Sequence, residues 1–441
     1  MQTRGLGSDI FHVPEVVRAK RTSIGWLSIG VVTACCAAIT QTARAGGIIL
    51  YEVATPDVGL ASAGYAARAD DASTLFKNPA GMSRLEGAQF QGGLQALYGS
   101  VSFSPDGSTL VDGGGSDGGN AIGWLPGGSL FVVAPLGEKW RVGLGSLSYF
   151  GLMEDYDDNW VGRYYVQQSA LLGMSVMPSV SFQATEWLSI GAGLNAMYGY
   201  FDTDVAVNNP IIDADGQMTL KDTTWGFGAN VGVMIQASEK TRFGVTYLSA
   251  VDLDFSDTPS FSGLSPGLSA ILANPSKLNL GMTVPQSVMV SAYHALNDQW
   301  ALLADFGWQD WSQFGNVQVG IESGATTTLN LKYQDTWHGA LGAQYRASDK
   351  WLLSGGVAFD SSAVTDENRT VTVPMGQGWR FGLGAQYQLS QAVNIGGAYT
   401  FMWVGDMSVD QGTAGGWRGR VSGSYDSAWF SIATINLTWK F

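Results

Sequence analysis

Few residues of this chain could do acid, base or nucleophilic chemistry. Three histidines occur, His12, His294 and His338. No Gly-x-Ser-x-Gly elbow accompanies them, so a lipase-like site is not expected and strand histidines at an interface are the simpler account. Asp70 and Asp71 are adjacent acids in a stretch rich in Ala, Ser and Gly, where turn and capping roles are commoner than acid chemistry. Asn78-Pro79-Ala80 reads as an N-cap followed by proline at the first turn of a short helix, "PAGMSRL". Arg163 and Arg380 are the informative cations. A carboxylate about 4 Å from either would gain on the order of 4 kcal/mol at an effective dielectric near 20; that carboxylate could belong to a ligand or to an Asp or Glu of the same chain. Nothing has the spacing of a metal site or a nucleotide-binding loop, so neither metal nor cofactor is expected.

The elements that must position these residues begin with a leader. Arg18, Lys20 and Arg21 precede an apolar run from Ile24 to Ile39, and Ala43-Arg44-Ala45 is a small-x-small cleavage site. Residues 1–45 therefore read as a Sec signal peptide, with the mature chain starting near Gly46. The alternative is a lipoprotein acylated at Cys35, disfavoured by Val32-Thr33-Ala34 before it. Cys35 and Cys36 are the chain's two cysteines, so cleavage leaves no thiols and no disulfides.

The precursor has 23 basic and 37 acidic side chains; taking away five and two in residues 1–45 leaves 18 and 35, a formal charge of −17. Such a chain is a poor partner for nucleic acid. It is 45% hydrophobic, with 16 Trp, 16 Tyr, 19 Phe and 59 Gly. After Ala45 no run of 18 apolar residues appears, which excludes a transmembrane helix. The other structure that can cross lipid is a closed β-barrel.

Alternation supports the barrel. In "GWRFGLGAQYQL" one face is Trp379, Phe381, Leu383, Ala385, Tyr387 and Leu389, and the other holds Arg380, Gly382, Gly384, Gln386 and Gln388. Parity thus puts Arg380 in the lumen. The period recurs in "TWGFGANVGVMI", in "RFGVTYLSAVDLDF" read as one strand, and in the terminal "WFSIATINLTWKF". Short connections fall at 135–139, 184–186, 238–240, 297–299, 347–350 and 390–392. Longer ones fall near 105–119, 153–161, 206–216, 256–281, 321–327, 360–376 and 404–427. Six short and seven long connections in alternation predict an all-β, 14-stranded antiparallel transmembrane barrel over residues 88–441. Pro126 in strand two and "DFGWQDWSQF" in strand nine blur the pattern, leaving twelve or sixteen strands as alternatives.

A lumen of that size needs more than wall side chains to fill it. Residues 46–87 precede the first strand, start on the periplasmic side and are rich in Ala, Gly and Ser. They read as an N-terminal hatch that fills the lumen and contains Asp70, Asp71, Asn78, Pro79 and Ala80. In the longest outer connection, Leu264, Leu268, Ile271 and Leu272 share one face of a short helix. That face suits either a capture groove or packing among loops.

Taken together, the chain resembles the FadL-type outer-membrane transporters of long-chain fatty acids and other hydrophobic compounds (OMPP1/FadL/TodX). The resemblance rests on "GLASAGYAARADDASTLFKNPAGM", on "NWVGRYYVQQSALLGMSVMPSVSF", on "VPQSVMVSAYHALNDQWALLADFGWQDWSQF" and on "YQDTWHGALGAQYRASDKWLLSGGVAFDSSAV". It implies ligand capture by outer loops, transfer to an inner pocket and passive release after a hatch rearrangement, with no enzymatic activity. In some members the exit is lateral, beside a kinked third strand. Here that strand is "WRVGLGSLSYFGL", whose Gly143, Gly145 and Gly151 permit a kink. The terminal Phe441 resembles the signal by which the barrel assembly machinery recognises its clients. The expected partners are a hydrophobic small molecule and outer-membrane lipid, the expected place the outer membrane of a Gram-negative bacterium, and the expected assembly a monomer. Family cations that bind carboxylate do not match position by position. The alternatives are therefore an aromatic or alkane hydrocarbon cargo, or a non-conducting structural or adhesive barrel.

Overall fold

A computed structural model describes residues 51, 53–209, 211–212, 214–321 and 326–441. The expected signal peptide, its cleavage site and the first hatch residues lie outside them. Alternating apolar residues and short polar turns produce twenty strands. The first ten are β1 (Gln89–Ser100), β2 (Phe103–Pro105), β3 (Gly123–Leu136), β4 (Trp140–Asp155), β5 (Gln168–Gln183), β6 (Leu188–Val207), β7 (Gly216–Gln236), β8 (Thr241–Leu248), β9 (Val251–Asp257) and β10 (Ser260–Ser262). The rest are β11 (Leu278–Val284), β12 (Ser287–Ala295), β13 (Trp300–Gln309), β14 (Asn316–Ile321), β15 (Thr326–Asn330), β16 (Thr336–Arg346), β17 (Trp351–Asp360), β18 (Gly378–Gln388), β19 (Val393–Gly412) and β20 (Arg420–Lys440).

Fourteen of them follow one another around a ring, β1-β3-β4-β5-β6-β7-β8-β12-β13-β16-β17-β18-β19-β20, and β1 pairs antiparallel with β20 to close it. Closure removes the free end strands that an open sheet would present to lipid. No helix among the described residues is long and apolar enough to cross a membrane. Trp379, Phe381 and Leu383 are 39, 49 and 69% exposed while Arg380 between them is 1% exposed. The apolar face therefore looks outward and the arginine inward, as parity requires. Pro126 is accommodated within β3, opposite Ala96.

Two expectations are corrected. The segment 242–255 is not one strand: β8 ends at Leu248, and β9 belongs to a separate four-stranded sheet, β15-β14-β11-β9. Phe243, Val245 and Tyr247 are exposed, whereas Val251, Leu253 and Phe255 are buried. The break at Ser249-Ala250 moves the later residues from the lipid face to a loop core. The connection expected at 404–427 is mostly strand, because β19 and β20 continue as a long hairpin to Gly412 and Arg420. Strands of 20 and 21 residues exceed the roughly 9–11 needed to cross lipid, so this hairpin rises beyond the membrane.

Candidate functional site

The wall is continuous except beside β4. The β3–β4 ladder runs only from Ser129 opposite Leu147 to Leu136 opposite Trp140. Beyond it, residues 123–128 pair with β1 alone and residues 150–155 with β5 alone. A bulge between Ser148 and Phe150 shifts the β4–β5 register at that point; such an extra residue bends the strand carrying it. Farther out, the Asp155 N–H donates to the Ala121 carbonyl at 2.8 Å, so the gap is a window rather than an open slit. A cavity of about 200 Å³ occupies it, lined by Val53, Gln95, Leu97, Leu125, Pro126, Gly127, Ser148, Phe150, Gly151, Met153, Leu172, Gly173 and Met174. Its lining is mainly apolar. Met153 and Met174 are exposed on the outer face, and Val53 belongs to the segment inside the barrel.

That segment, residues 53–85, is buried almost throughout and touches strands on every side of the ring. Inward-facing glycines make room for its backbone. A Cβ on Gly93 would stand 1.8 Å from the Ala54 carbonyl oxygen, and one on Gly244 1.9 Å from that of Ala66. Polar wall groups meet its backbone: Asp305 accepts the Tyr65 N–H at 3.1 Å and Ser291 Oγ the Ala66 N–H at 2.8 Å. Asn78 caps the 3-10 turn Pro79–Arg84 through Ala80 N at 3.1 Å, and its Nδ2 donates to Val233 O at 3.0 Å. Proline at the first turn needs no N–H partner there.

The segment's charges are matched in a buried cluster. Asp57 pairs with both Arg68 and Lys77, and Arg68 also pairs with Asp71. Arg242 of β8 joins through Asp70 at 3.1 Å, with its guanidinium 3.5 Å from the Tyr293 ring centre. Burial alone would push the Asp71 carboxyl up. Arg68 beside it, with the Ser73 hydroxyl and N–H, outweighs that and holds it below the usual carboxylate range.

Both arginines singled out in the sequence have carboxylates of this chain. Arg380 Nε lies 2.9 Å from Asp360 Oδ2. Asp360 also meets His338 Nδ1 at 2.7 Å and the Tyr51 hydroxyl at 3.2 Å, and His338 Nε2 is 3.0 Å from Ser62 Oγ. Within the Ser-His-Asp chain Ser62 and His338 are buried, and Asp360, 14% exposed, is engaged by Arg380. Its effect is to tie Tyr51 and Ser62 to β16, β17 and β18. His294 sits on β12, 2.8 Å from Thr241 Oγ1. Arg163 lies among the outer loops. It donates to Asp215 and to the Gly114 carbonyl, each at 2.6 Å, and to the Asp112 carbonyl at 2.8 Å. Burial and the bond to Asp215 push the neighbouring Tyr164 phenol up to about 12.

Of the loop leucines, Leu264 and Leu268 pack on the main buried cluster and Leu272 is itself buried, while Ile271 is 40% exposed. Only Leu268 and Ile271 belong to the helix Pro266–Ile271, so the four do not share one helical face as expected. Gly143 and Gly145 lie in the paired part of β4, where added Cβ atoms would stand 2.4 and 3.0 Å from Leu75. Gly151 lies in the part of β4 paired with β5 alone and lines the cavity. The structure does not bring the three glycines to one place.

A closed ring with an apolar outer face, an amino-terminal segment inside and a window in its wall suits passage of molecules across a membrane. A model of one family, described as outer membrane protein transport protein (OMPP1/FadL/TodX), matches residues 36–441. The chain belongs to the OMPP1/FadL/TodX family. Outer membrane protein P1 of Haemophilus influenzae is 29% identical over 403 residues, covering 82% of this chain and 86% of that protein. The long-chain fatty acid transport protein of Escherichia coli K12 is 25% identical over 416 residues, covering 85% and 92%. Among solved structures, a FadL homologue of Pseudomonas aeruginosa superimposes with a TM-score of 0.81 at 21% identity, covering 90% of this chain and all of that one. The Pseudomonas putida toluene transporter TodX gives 0.65 at 17% identity, covering 90% and 99%. FadL-family proteins are transport channels, not enzymes, and this one is an outer-membrane transporter of hydrophobic compounds.

Proposed function

We propose that the protein is a passive uptake channel for long-chain fatty acids. The outer loops capture the cargo, the barrel holds it above a hatch formed by residues 46–87, and the hatch shifts to let it leave sideways through the window beside β4. The window itself carries this reading. It joins the interior at Val53 to the lipid-facing surface at Met153 and Met174 through a mainly apolar lining, so a greasy molecule need not cross water to leave. A chain of fourteen methylenes gains roughly 11 kcal/mol on full burial at about 0.8 each. A closed pocket would hold such a ligand, and a movable hatch supplies the change of shape that releases it. Terminal Phe441 would serve assembly into the membrane, and the barrel would work as a monomer.

A second reading, neutral aromatic or alkane cargo, is favoured by one observation. Arg163 and Arg380 already have Asp215 and Asp360 as partners, so neither needs a ligand's carboxylate. Uptake of labelled oleate and labelled toluene separates the two, in Gram-negative cells lacking their own transporter of this type. Oleate entry that Arg380→Ala lowers, with no faster toluene entry, supports fatty acids anchored by charge. Faster toluene entry alone supports the neutral cargo. Absence of both, with folded protein displayed, rejects the proposed role.

A further inference from the structure

We infer that Phe150, seated on Gly173, sets the cross-section of the wall window and selects unbranched alkyl chains over branched or ring-bearing ones. This deepens the reading above and rests on it, since it takes the window to be the exit.

The bulge creates the arrangement. Ser148 pairs with Met174 and Phe150 with Gly173, which leaves Tyr149 as the extra residue. Tyr149 turns inward, its ring edge-on to Phe76 of the hatch at 5.7 Å between centroids. Phe150 is consequently laid along the neighbouring strand: a Cβ on Gly173 would stand 2.4 and 2.7 Å from ring atoms Cε1 and Cζ. Glycine at 173 is thus the condition for the ring's place. The ring is 7% exposed although it borders the cavity, so it lies flat against the wall instead of standing in the opening.

The surroundings suit a width filter. Leu125, Pro126, Leu172 and Met174 supply apolar contacts without charge, and the thioethers of Met153 and Met174 adapt to a passing chain. The one ring can move by turning its two side-chain torsions, whereas Leu125 and Pro126 sit on the β3 ladder with β1. A straight acyl chain slides past a planar ring. A methyl branch or a fused ring requires the ring to leave its seat. At the inner end Gln95 Oε1 accepts the Ala54 N–H at 3.0 Å, so the same cavity touches the hatch.

The test compares entry of labelled hexadecanoic acid and of its tetramethyl-branched counterpart into cells lacking a transporter of this type, at matched amounts of folded barrel. Phe150→Ala should raise branched relative to straight entry by about tenfold, the low end of what a one-methylene steric difference is worth. Gly173→Ala should push the ring off its seat into the opening and slow both acids, and adding Phe150→Ala should restore straight-chain entry. An unchanged branched-to-straight ratio in Phe150→Ala, or a Gly173→Ala defect that Phe150→Ala does not rescue, overturns the assignment while leaving transport intact. If folded wild-type protein speeds neither acid, fatty-acid transport itself fails, and the filter with it.

Discussion

Asn78 occupies the space that a side chain at Gly232 would fill: a Cβ built on Gly232 stands 1.9 Å from Asn78 Oδ1. The same amide donates to Val233 O at 3.0 Å and Ala66 O at 2.8 Å, so one residue joins two parts of the segment inside the barrel to the wall strand β7. Gly232→Ala is expected to displace the 79–84 turn without unfolding the barrel. Single-channel recording in planar bilayers should then show frequent openings to small ions that wild type lacks. Identical closed traces would mean that this contact does not seat the hatch.

The Asp71–Arg68 pair is expected to make the segment inside the barrel acid-sensitive. A carboxyl held below its unfolded value contributes stability above that value, about 3.9 for aspartate, and loses the contribution as pH falls through the folded value. The contribution of this pair should therefore be constant from neutral pH to about pH 4 and be lost below it, with channel conductance rising there. Asp71→Asn should raise conductance at neutral pH and flatten the acid response.

Removing Arg380 takes from the mostly enclosed Asp360 carboxylate its guanidinium partner at 2.9 Å. Breaking a buried pair by deleting one partner typically costs about 3–5 kcal/mol. Arg380→Ala should lower the thermal unfolding midpoint in detergent, and Arg380→Met combined with Asp360→Asn should recover part of the loss. Equal midpoints for Arg380→Ala and wild type would show that the pair contributes nothing measurable.

Glu154, near the outer end of β4, is 1% exposed, and neither carboxyl oxygen has a hydrogen-bond partner among the described residues. An apolar replacement removes an unmet desolvation cost of about 1–3 kcal/mol. Glu154→Leu should raise the unfolding midpoint; a fall would mean that the carboxyl has a partner in the working protein.

The barrel was legible because lipid demands a strict two-residue period on the outer face, and short polar turns mark its other end. Arg380 could be placed in the lumen by parity alone. Its partner could not, because Asp360 ends the preceding strand across a long loop and no local pattern links the two. Parity also misled at 242–255, where a two-residue break sends β9 into another sheet. The resemblance pointed to an opening beside the third strand, but the bulge at Ser148/Phe150 that forms the window has no local sequence mark. The glycines read as a kink divide by contact. Gly143 and Gly145 admit Leu75, and only Gly151 borders the opening. The Asp57–Arg68–Lys77 cluster joins residues 9 to 20 positions apart, and only the folded segment inside the barrel brings them together.

The most direct test of a lateral exit is oleate uptake by Gly151→Phe. Gly151 lines the window, and a Cβ there would stand 3.3 Å from Leu172 Cδ2, so a phenyl group should fill the cavity and leave the ladders intact. The account predicts that folded, surface-displayed Gly151→Phe loses most oleate uptake while still binding oleate. Undiminished uptake through the filled window would contradict it.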